Sequence, residues 1–153
     1  MMLFRRFLVL QALMLWQGGF LFYVMFVVPV GTEVLGGAFE QGRVTRHVTR
    51  SMNWLGVGAL VLFGWEIVNL TTRRRRLWSA WFVMALGLAC LIPIREEMLG
   101  MVDFTNARFT DRPAFYNWHR AYLWIATLQW VAGLVFAWTM LAAWRSHTDR
   151  SED

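Results

Sequence analysis

The segment TTRRRRLWSAWFVMALGLACLIPIREE, residues 71–97, places four arginines immediately before an uncharged apolar run and three charged residues immediately after it. The apolar run, 77–94, is about as long as the roughly 20 residues that an α-helix needs to cross the hydrocarbon core of a bilayer. Three further apolar runs, 7–30, 52–70 and 122–144, have similar lengths. The sequence therefore predicts an all-α fold, an integral membrane four-helix bundle, in which residues 1–153 form a single four-span domain.

The overall composition also favours a membrane protein over a soluble one. Hydrophobic residues make up 58% of the 153 residues, including 10 Trp and 12 Phe. A soluble domain of this size keeps too large a share of its residues at the surface to hide so many apolar side chains. We therefore expect the lipid bilayer to cover them. The net charge of +5 is spread among the ends of the apolar runs, which argues against a nucleic-acid partner.

The distribution of arginine predicts the orientation of the helices. The short connection before residue 77 carries four arginines, and short loops rich in positive charge stay on the cytoplasmic side. If the helices alternate in direction, both termini lie on that side, where the sequence has eight arginines and three acidic residues. The opposite side has seven arginines and six acidic residues. The sequence thus predicts an N-in, C-in topology, with 7–30 as a retained anchor and a bacterial inner (cell) membrane as the default location.

The two longer connections predict that helices 2, 3 and 4 extend beyond the membrane on the outer side. The stretch after Gly42 has the pattern of a helix that leads into the second span. Residues 95–103 are expected to continue the third helix outward past a kink at Pro93, whose ring removes one backbone donor. Pro113 suits the first turn of a fourth helix that begins before the membrane.

Polar side chains from these three helices are expected to lie in one layer at the outer interface, which we call the outer collar. At 1.5 Å per helical residue, His47 and His119 lie roughly 7 Å and 4 Å outside their spans. The further members of the outer collar are Arg50, Asn53, Arg95, Glu96 and Arg120. One interpretation is structural: the collar side chains reach lipid headgroups beside an aromatic belt of Trp54, Trp118 and Tyr122.

A second interpretation of the outer collar is a binding site for a small anionic or zwitterionic ligand or a cofactor. Planar guanidinium groups match the geometry of carboxylate and phosphate. The candidate binding residues are His47, His119, Arg50, Asn53 and Arg95.

A third interpretation is that His47 and His119 face each other and hold haem or a divalent metal. Imidazole and carboxylate suit zinc, copper or iron, so Glu96 and Glu97 are candidate metal ligands beside the two histidines. No HExxH, H-x3-H or C-x2-C spacing accompanies these residues.

The sequence predicts no catalytic residues, because it contains no nucleophile–base pair, glycine-rich phosphate loop or paired carboxylates. Glu96 and Glu97 are adjacent, so on a helix they point about 100° apart. The main hypothesis is a polytopic membrane protein that binds, or helps move, a small ligand or metal at the outer collar. The alternatives are a haem- or metal-bound redox protein that uses His47 and His119, and a structural subunit of a larger membrane complex. Its partners are the lipid bilayer and, as alternatives left open, a homo-oligomer or such a complex.

Three polar residues lie deeper in the apolar runs. Glu66 is about one helical turn from the cytoplasmic end, so we expect it to reach the arginines at 73–76 or those near the N-terminus. Gln17 lies near the middle of the first run beside two glycines that allow close helix approach, and Gln129 in the fourth run is its expected hydrogen-bond partner.

Three short stretches carry a resemblance: WQGGFLFYVMFVVPVGTEVL (16–35), VTRHVTRSMNWLG (44–56) and FYNWHRAYLWIATLQW (115–130). Together they resemble a family of small four-helix membrane proteins of unknown function related to transmembrane protein 205. The shared features are a glycine–aromatic first helix that ends in Val-Pro, an Asn in the second helix, and Phe115 and His119 opening the last. The resemblance spans most of the chain and implies a four-span membrane fold, with metal or drug handling attached to some relatives.

Overall fold

Four long helical segments make up nearly all of the computed structural model, which describes residues 2–70 and 73–149, with side chains up to residue 145. The segments are α1 (Met2–Val34), α2 (Ala38–Val68), α3 (Arg74–Gly100) and α4 (Arg112–Asp149). Each is long and apolar enough to cross a membrane. The prediction of a mostly helical fold with four candidate membrane-spanning helices is therefore confirmed.

Helices 2, 3 and 4 extend beyond their apolar runs at one end of the bundle, as the sequence predicted. The start of α2 precedes its apolar run by 14 residues, because the run begins at 52 and the helix at Ala38. The start of α4 is fixed by Asp111, whose side-chain oxygen accepts the Ala114 N–H at 3.0 Å, and Pro113 occupies the first turn.

The first connection is shorter than the sequence predicted. Helix α1 continues through Gly31 to Val34, and α2 begins at Ala38 rather than near Gly42. The turn between them contains Gly36 and Gly37 with φ angles of 81° and 155°, which glycine adopts without steric cost.

The second long connection contains a β-hairpin. The helix predicted over 95–103 is confirmed for 95–100 and is wrong for 101–103. Helix α3 ends at Gly100, and β1 (Val102–Asp103) pairs antiparallel with β2 (Arg108–Phe109). The Asp103 carboxylate accepts the backbone N–H groups of Thr105 and Asn106, each at 3.1 Å, and the Asn106 side-chain amide at 2.8 Å. Such local side-chain bonds offer the backbone an alternative to the helix.

Helix α1 contains two π-helical turns, Met14–Gly18 and Tyr23–Val27. In the first, Trp16 is buried against Gly56 of α2, where a Cβ atom would come within 2.7–2.8 Å of its ring. The second turn lies shortly before Pro29, which lacks a backbone N–H. Local π adjustments in membrane helices re-pair groups that a proline frees.

The core lies where the four helices meet, and it is built from large apolar side chains. Phe63 of α2 stacks on Phe136 of α4 with ring centroids 4.7 Å apart, and Ile67, Leu77 and Met84 are fully buried beside them. Only 17–39% of the residues in the most apolar window of each helix are buried inside the bundle. Most of the apolar surface therefore faces outward.

The two ends of the bundle differ in composition. The hairpin end contains β1, β2 and the starts of α2 and α4. The arginine end contains the start of α1, the end of α2 and the exposed arginines at 73–76.

Candidate functional site

The hairpin end contains a hydrogen-bonded network centred on Arg95 of α3. Its Nε donates to the Thr49 hydroxyl at 3.2 Å, and its terminal nitrogens donate to the Arg46 carbonyl and to the Glu96 carboxylate. The Arg95 side chain is only 14% exposed. Because its donors are directed to groups within the protein, Arg95 ties α3 to α2.

A second part of this network joins α1 to α2. The buried Tyr23 hydroxyl donates to Thr45 at 2.7 Å and accepts the side-chain amide of the buried Gln41 at 3.5 Å. The Thr45 hydroxyl in turn donates to the Gln41 carbonyl at 2.9 Å. Gly31 allows this arrangement, because a Cβ atom there would overlap the Gln41 carboxamide.

Sequence reasoning missed Tyr23, Gln41, Thr45 and Thr49. The available signal was their spacing: Gln41, Thr45 and Thr49 recur every four residues and therefore share one face of α2. The sequence did not indicate that Tyr23, inside an apolar run, lies opposite that face.

An aromatic cluster fastens the β-hairpin over the starts of α2 and α4. Phe109 packs on Phe115 at a ring separation of 4.8 Å, and Phe39 packs on both Phe104 and Phe109 at 5.7 and 6.1 Å. The His119 ring stacks on Phe115 at 6.0 Å. This chain of rings places the starts of α2 and α4, and therefore both predicted histidines, at the same end of the bundle.

Two arginines of α2 also contact the β-hairpin, both at Phe104. Arg43 donates to the Phe104 carbonyl, and the Arg46 guanidinium lies over the Phe104 ring at 5.0 Å. Cations over aromatic faces are attracted by the ring quadrupole. The hairpin is thus held by both polar and aromatic contacts.

The predicted collar residues differ in their surroundings. His47 is exposed and its Nε2 accepts the Arg46 Nε–H at 3.1 Å. His119 is half-buried just before the run 122–144, and burial lowers the pKa of its imidazole, which favours the neutral ring. Arg50 is exposed and Asn53 is half-buried.

The structure does not assemble the predicted metal ligands. Among the described side chains, which cover 2–70 and 73–145, no three His, Cys, Asp or Glu lie close enough together to hold a metal ion. Protein zinc sites use at least three such ligands. Glu96 instead pairs with Arg95 and is 64% exposed, and His47 bonds to Arg46, so the set of His47, His119, Glu96 and Glu97 is not brought together.

An open groove of about 350 Å³ runs along the hairpin-end half of α2. Its lining residues recur at helical spacing, so they share one face of the helix: His47, Val48, Ser51, Met52 and Leu55. The polar His47 and Ser51 lie toward the hairpin end, and Met52 and Leu55 lie toward the middle of the bundle.

The arginine end contains a buried ion pair. The Glu66 carboxylate is 0% exposed, pairs with Arg5 of α1, and accepts the Trp144 indole N–H of α4 at 2.9 Å. The Arg6 guanidinium lies over the Trp144 ring at 5.3 Å. Glu66 therefore reaches an arginine near the N-terminus, one of its two expected sets of partners.

The expected bond between Gln17 and Gln129 is not formed. Gln129 instead donates to the Met84 carbonyl of α3 at 3.1 Å, and Gln17 packs against Gly133. Both glutamines nevertheless join α4 to a neighbouring helix.

Comparison with protein-family models, with curated proteins and with solved structures finds no match to this chain. The resemblance to the relatives of transmembrane protein 205 therefore rests on the three quoted stretches alone and stays a prediction.

Proposed function

We propose that this chain is a non-enzymatic integral membrane protein, with its arginine end in the cytoplasm, that binds an amphiphile at its hairpin end. The amphiphile has an anionic or zwitterionic head and an acyl-like tail. Four apolar helices with largely outward-facing apolar surface support the membrane location. The exposed arginines at 73–76 support the orientation.

The observation that carries this proposal is the change of polarity along the groove on α2. A tail would lie on Met52 and Leu55, and a head would lie beside His47 and Ser51. An amphiphile placed at this depth keeps its head at the membrane interface and its tail in an apolar environment.

Arg50 is the arginine best placed to meet an anionic head. It lies three residues from His47, hence on a neighbouring position of the same helix surface, and its side chain is exposed. The sequence also predicted Arg95 as a ligand-binding residue. In this proposal Arg95 joins α3 to α2 instead, because its donors are already bonded within the protein. His119 supports the hairpin through Phe115.

The proposal is tested with a photoreactive long-chain fatty acid and the purified protein in nanodiscs of zwitterionic lipid. Saturable binding is expected, with crosslinks mapped to residues 47–55. Arg50→Gln is expected to weaken binding about tenfold or more, because a hydrogen bond to a charged group contributes about 1.5–3 kcal/mol.

The matched control is Arg120→Gln, which removes the same charge from α4, where Arg120 bonds Asn117 at 2.6 Å. Equal losses in the two variants, or binding that does not saturate, would contradict the proposal. A Soret band in the purified protein that disappears in His47→Ala or His119→Ala would replace it with the haem-based redox hypothesis.

A further inference from the structure

A small cavity of about 20 Å³ lies between α1 and α4 near the middle of the bundle. Its lining residues come from the first π-helical turn, the residues after it and the facing part of α4: Trp16, Gln17, Phe20, Ala126, Gln129 and Trp130. A cavity of this size has room for about one water molecule, which needs two to four polar partners to remain there.

One wall of this cavity contains an unpaired acceptor. The Gln17 side-chain oxygen is buried and has no hydrogen-bond partner. A polar atom left unpaired in an apolar environment costs several kcal/mol, and a bilayer offers no bulk water to satisfy it. Native structures rarely leave such an atom unsatisfied, so a bound molecule with a donor is expected next to it.

Packing restricts where the Gln17 carboxamide can turn. It lies against Gly133 of α4, where a Cβ atom would overlap it. Its own backbone belongs to the π-helical turn Met14–Gly18, a distortion that is often found at functional positions in helices. The side chain is therefore confined between α4 and the cavity.

A second amide lines the same cavity with a defined orientation. The Gln129 side-chain nitrogen donates to the Met84 carbonyl at 3.1 Å, which assigns that nitrogen as the donor and leaves the other carboxamide atom as an oxygen acceptor. Two glutamines that each have an acceptor oxygen thus line a space for one molecule, and water has two O–H donors.

We propose that one water molecule occupies this cavity, donating one hydrogen to the Gln17 oxygen and the other to the Gln129 oxygen. The water joins α1 to α4 near mid-bilayer depth, which accounts for two facing glutamines that do not bond directly. This site is separate from the groove on α2 and does not depend on what that groove binds.

The test is water-selective NMR on the protein in micelles with ¹⁵N-labelled glutamine. A long-lived water is expected to give cross-peaks to the side-chain amide protons of Gln129 that have the sign typical of slow tumbling. Absence of these cross-peaks in the unmodified protein overturns the proposal.

Gln17→Met locates the water, because methionine keeps the side-chain length and removes the acceptor. Loss of the Gln129 cross-peaks in this variant supports the bridge, and their persistence overturns it. If Gln17→Met does not fold, Ala126→Val serves instead, because its added methyl groups fill the cavity without changing either amide. Loss of the Gln129 cross-peaks in Ala126→Val supports the bridge, and their persistence overturns it.

Discussion

Glu66 shows how a single charged side chain is accommodated in an apolar bundle. A buried carboxylate requires a counter-charge and hydrogen-bond donors, and Arg5 and Trp144 supply them from two other helices. A buried ion pair adds little net stability compared with apolar packing, but removal of one partner leaves an uncompensated charge. The pair therefore links the parts of α1, α2 and α4 that meet at the arginine end.

Glu66→Gln is expected to lower the free energy of unfolding by about 3 kcal/mol, because it leaves the Arg5 guanidinium, 17% exposed, without its counter-charge. Glu96→Gln is the matched control. Its carboxylate is 64% exposed, so solvent screens the pair, and Arg95 keeps its bonds to Thr49 and the Arg46 carbonyl. A loss of about 0–1 kcal/mol is therefore expected. Denaturation in detergent followed by tryptophan fluorescence measures both, and equal losses would contradict the assigned role of Glu66.

The stability of the hairpin end is expected to depend on pH through His119. Burial lowers the pKa of this ring below its usual 6.5, so between the two values the unfolded chain binds more protons than the folded one. The free energy of unfolding is therefore highest above about pH 6.5 and decreases as the pH drops below that value. His119→Phe should flatten this dependence in unfolding curves measured from pH 7.5 to 5. An unchanged slope in His119→Phe would count against the prediction.

At single positions, the sequence predicted chemistry better than geometry. A buried carboxylate such as Glu66 needs a positively charged partner, and the sequence predicted an arginine either from 73–76 or from near the N-terminus. In the structure the partner is Arg5, near the N-terminus. Arg95 has the chemistry of a ligand-binding residue, but its donors meet the Arg46 carbonyl and Thr49, whose directions depend on how α2 packs on α3. No local pattern contains that information.

At the scale of the element, long apolar periodicity predicted the four helices, while local competition and packing set the details. The β-hairpin arises where Asp103 and Asn106 bond nearby backbone groups, and those bonds outweigh the helical pattern of the preceding residues. Hydrophobic periodicity alone did not reveal the π-helical turns of α1, the first of which contains Trp16 packed on Gly56.

Near the contact between α1 and α2, substitution by alanine is expected to be tolerated at Gly58 and to be destabilising at Gly56. In Gly56→Ala the new Cβ atom would lie 2.7–2.8 Å from the Trp16 ring, so overpacking should lower the free energy of unfolding by about 1–3 kcal/mol. In Gly58→Ala nothing lies within 4 Å, and loss of glycine flexibility in a helix should raise stability by up to about 1 kcal/mol. Thermal unfolding of both variants, with near-ultraviolet circular dichroism to follow Trp16, checks the pair; destabilisation by Gly58→Ala alone would refute it.

At the scale of the whole molecule, the two ends differ more in charge balance than in arginine number. In the full sequence, the segments 1–6, 66–76 and 145–153, which belong to the arginine end by sequence, contain eight arginines and four acidic residues. The hairpin end has seven arginines, but six acidic residues accompany them. An anionic cytoplasmic leaflet attracts the end with the larger uncompensated charge, since each nearby arginine contributes about 1 kcal/mol.

This charge difference predicts which residues a membrane-impermeant thiol reagent reaches in intact cells. With Cys90 replaced by alanine, His47→Cys and His119→Cys should both react from outside, because the aromatic cluster holds both positions at the hairpin end. Arg73→Cys should react only after the cells are permeabilised, and it leaves three arginines of its turn in place. Reaction of 73 from outside, with 47 and 119 protected, would reverse the orientation while keeping the bundle. Reaction of 47 and 119 from opposite sides would contradict the bundle itself, since α2 and α4 would no longer begin at the same membrane face.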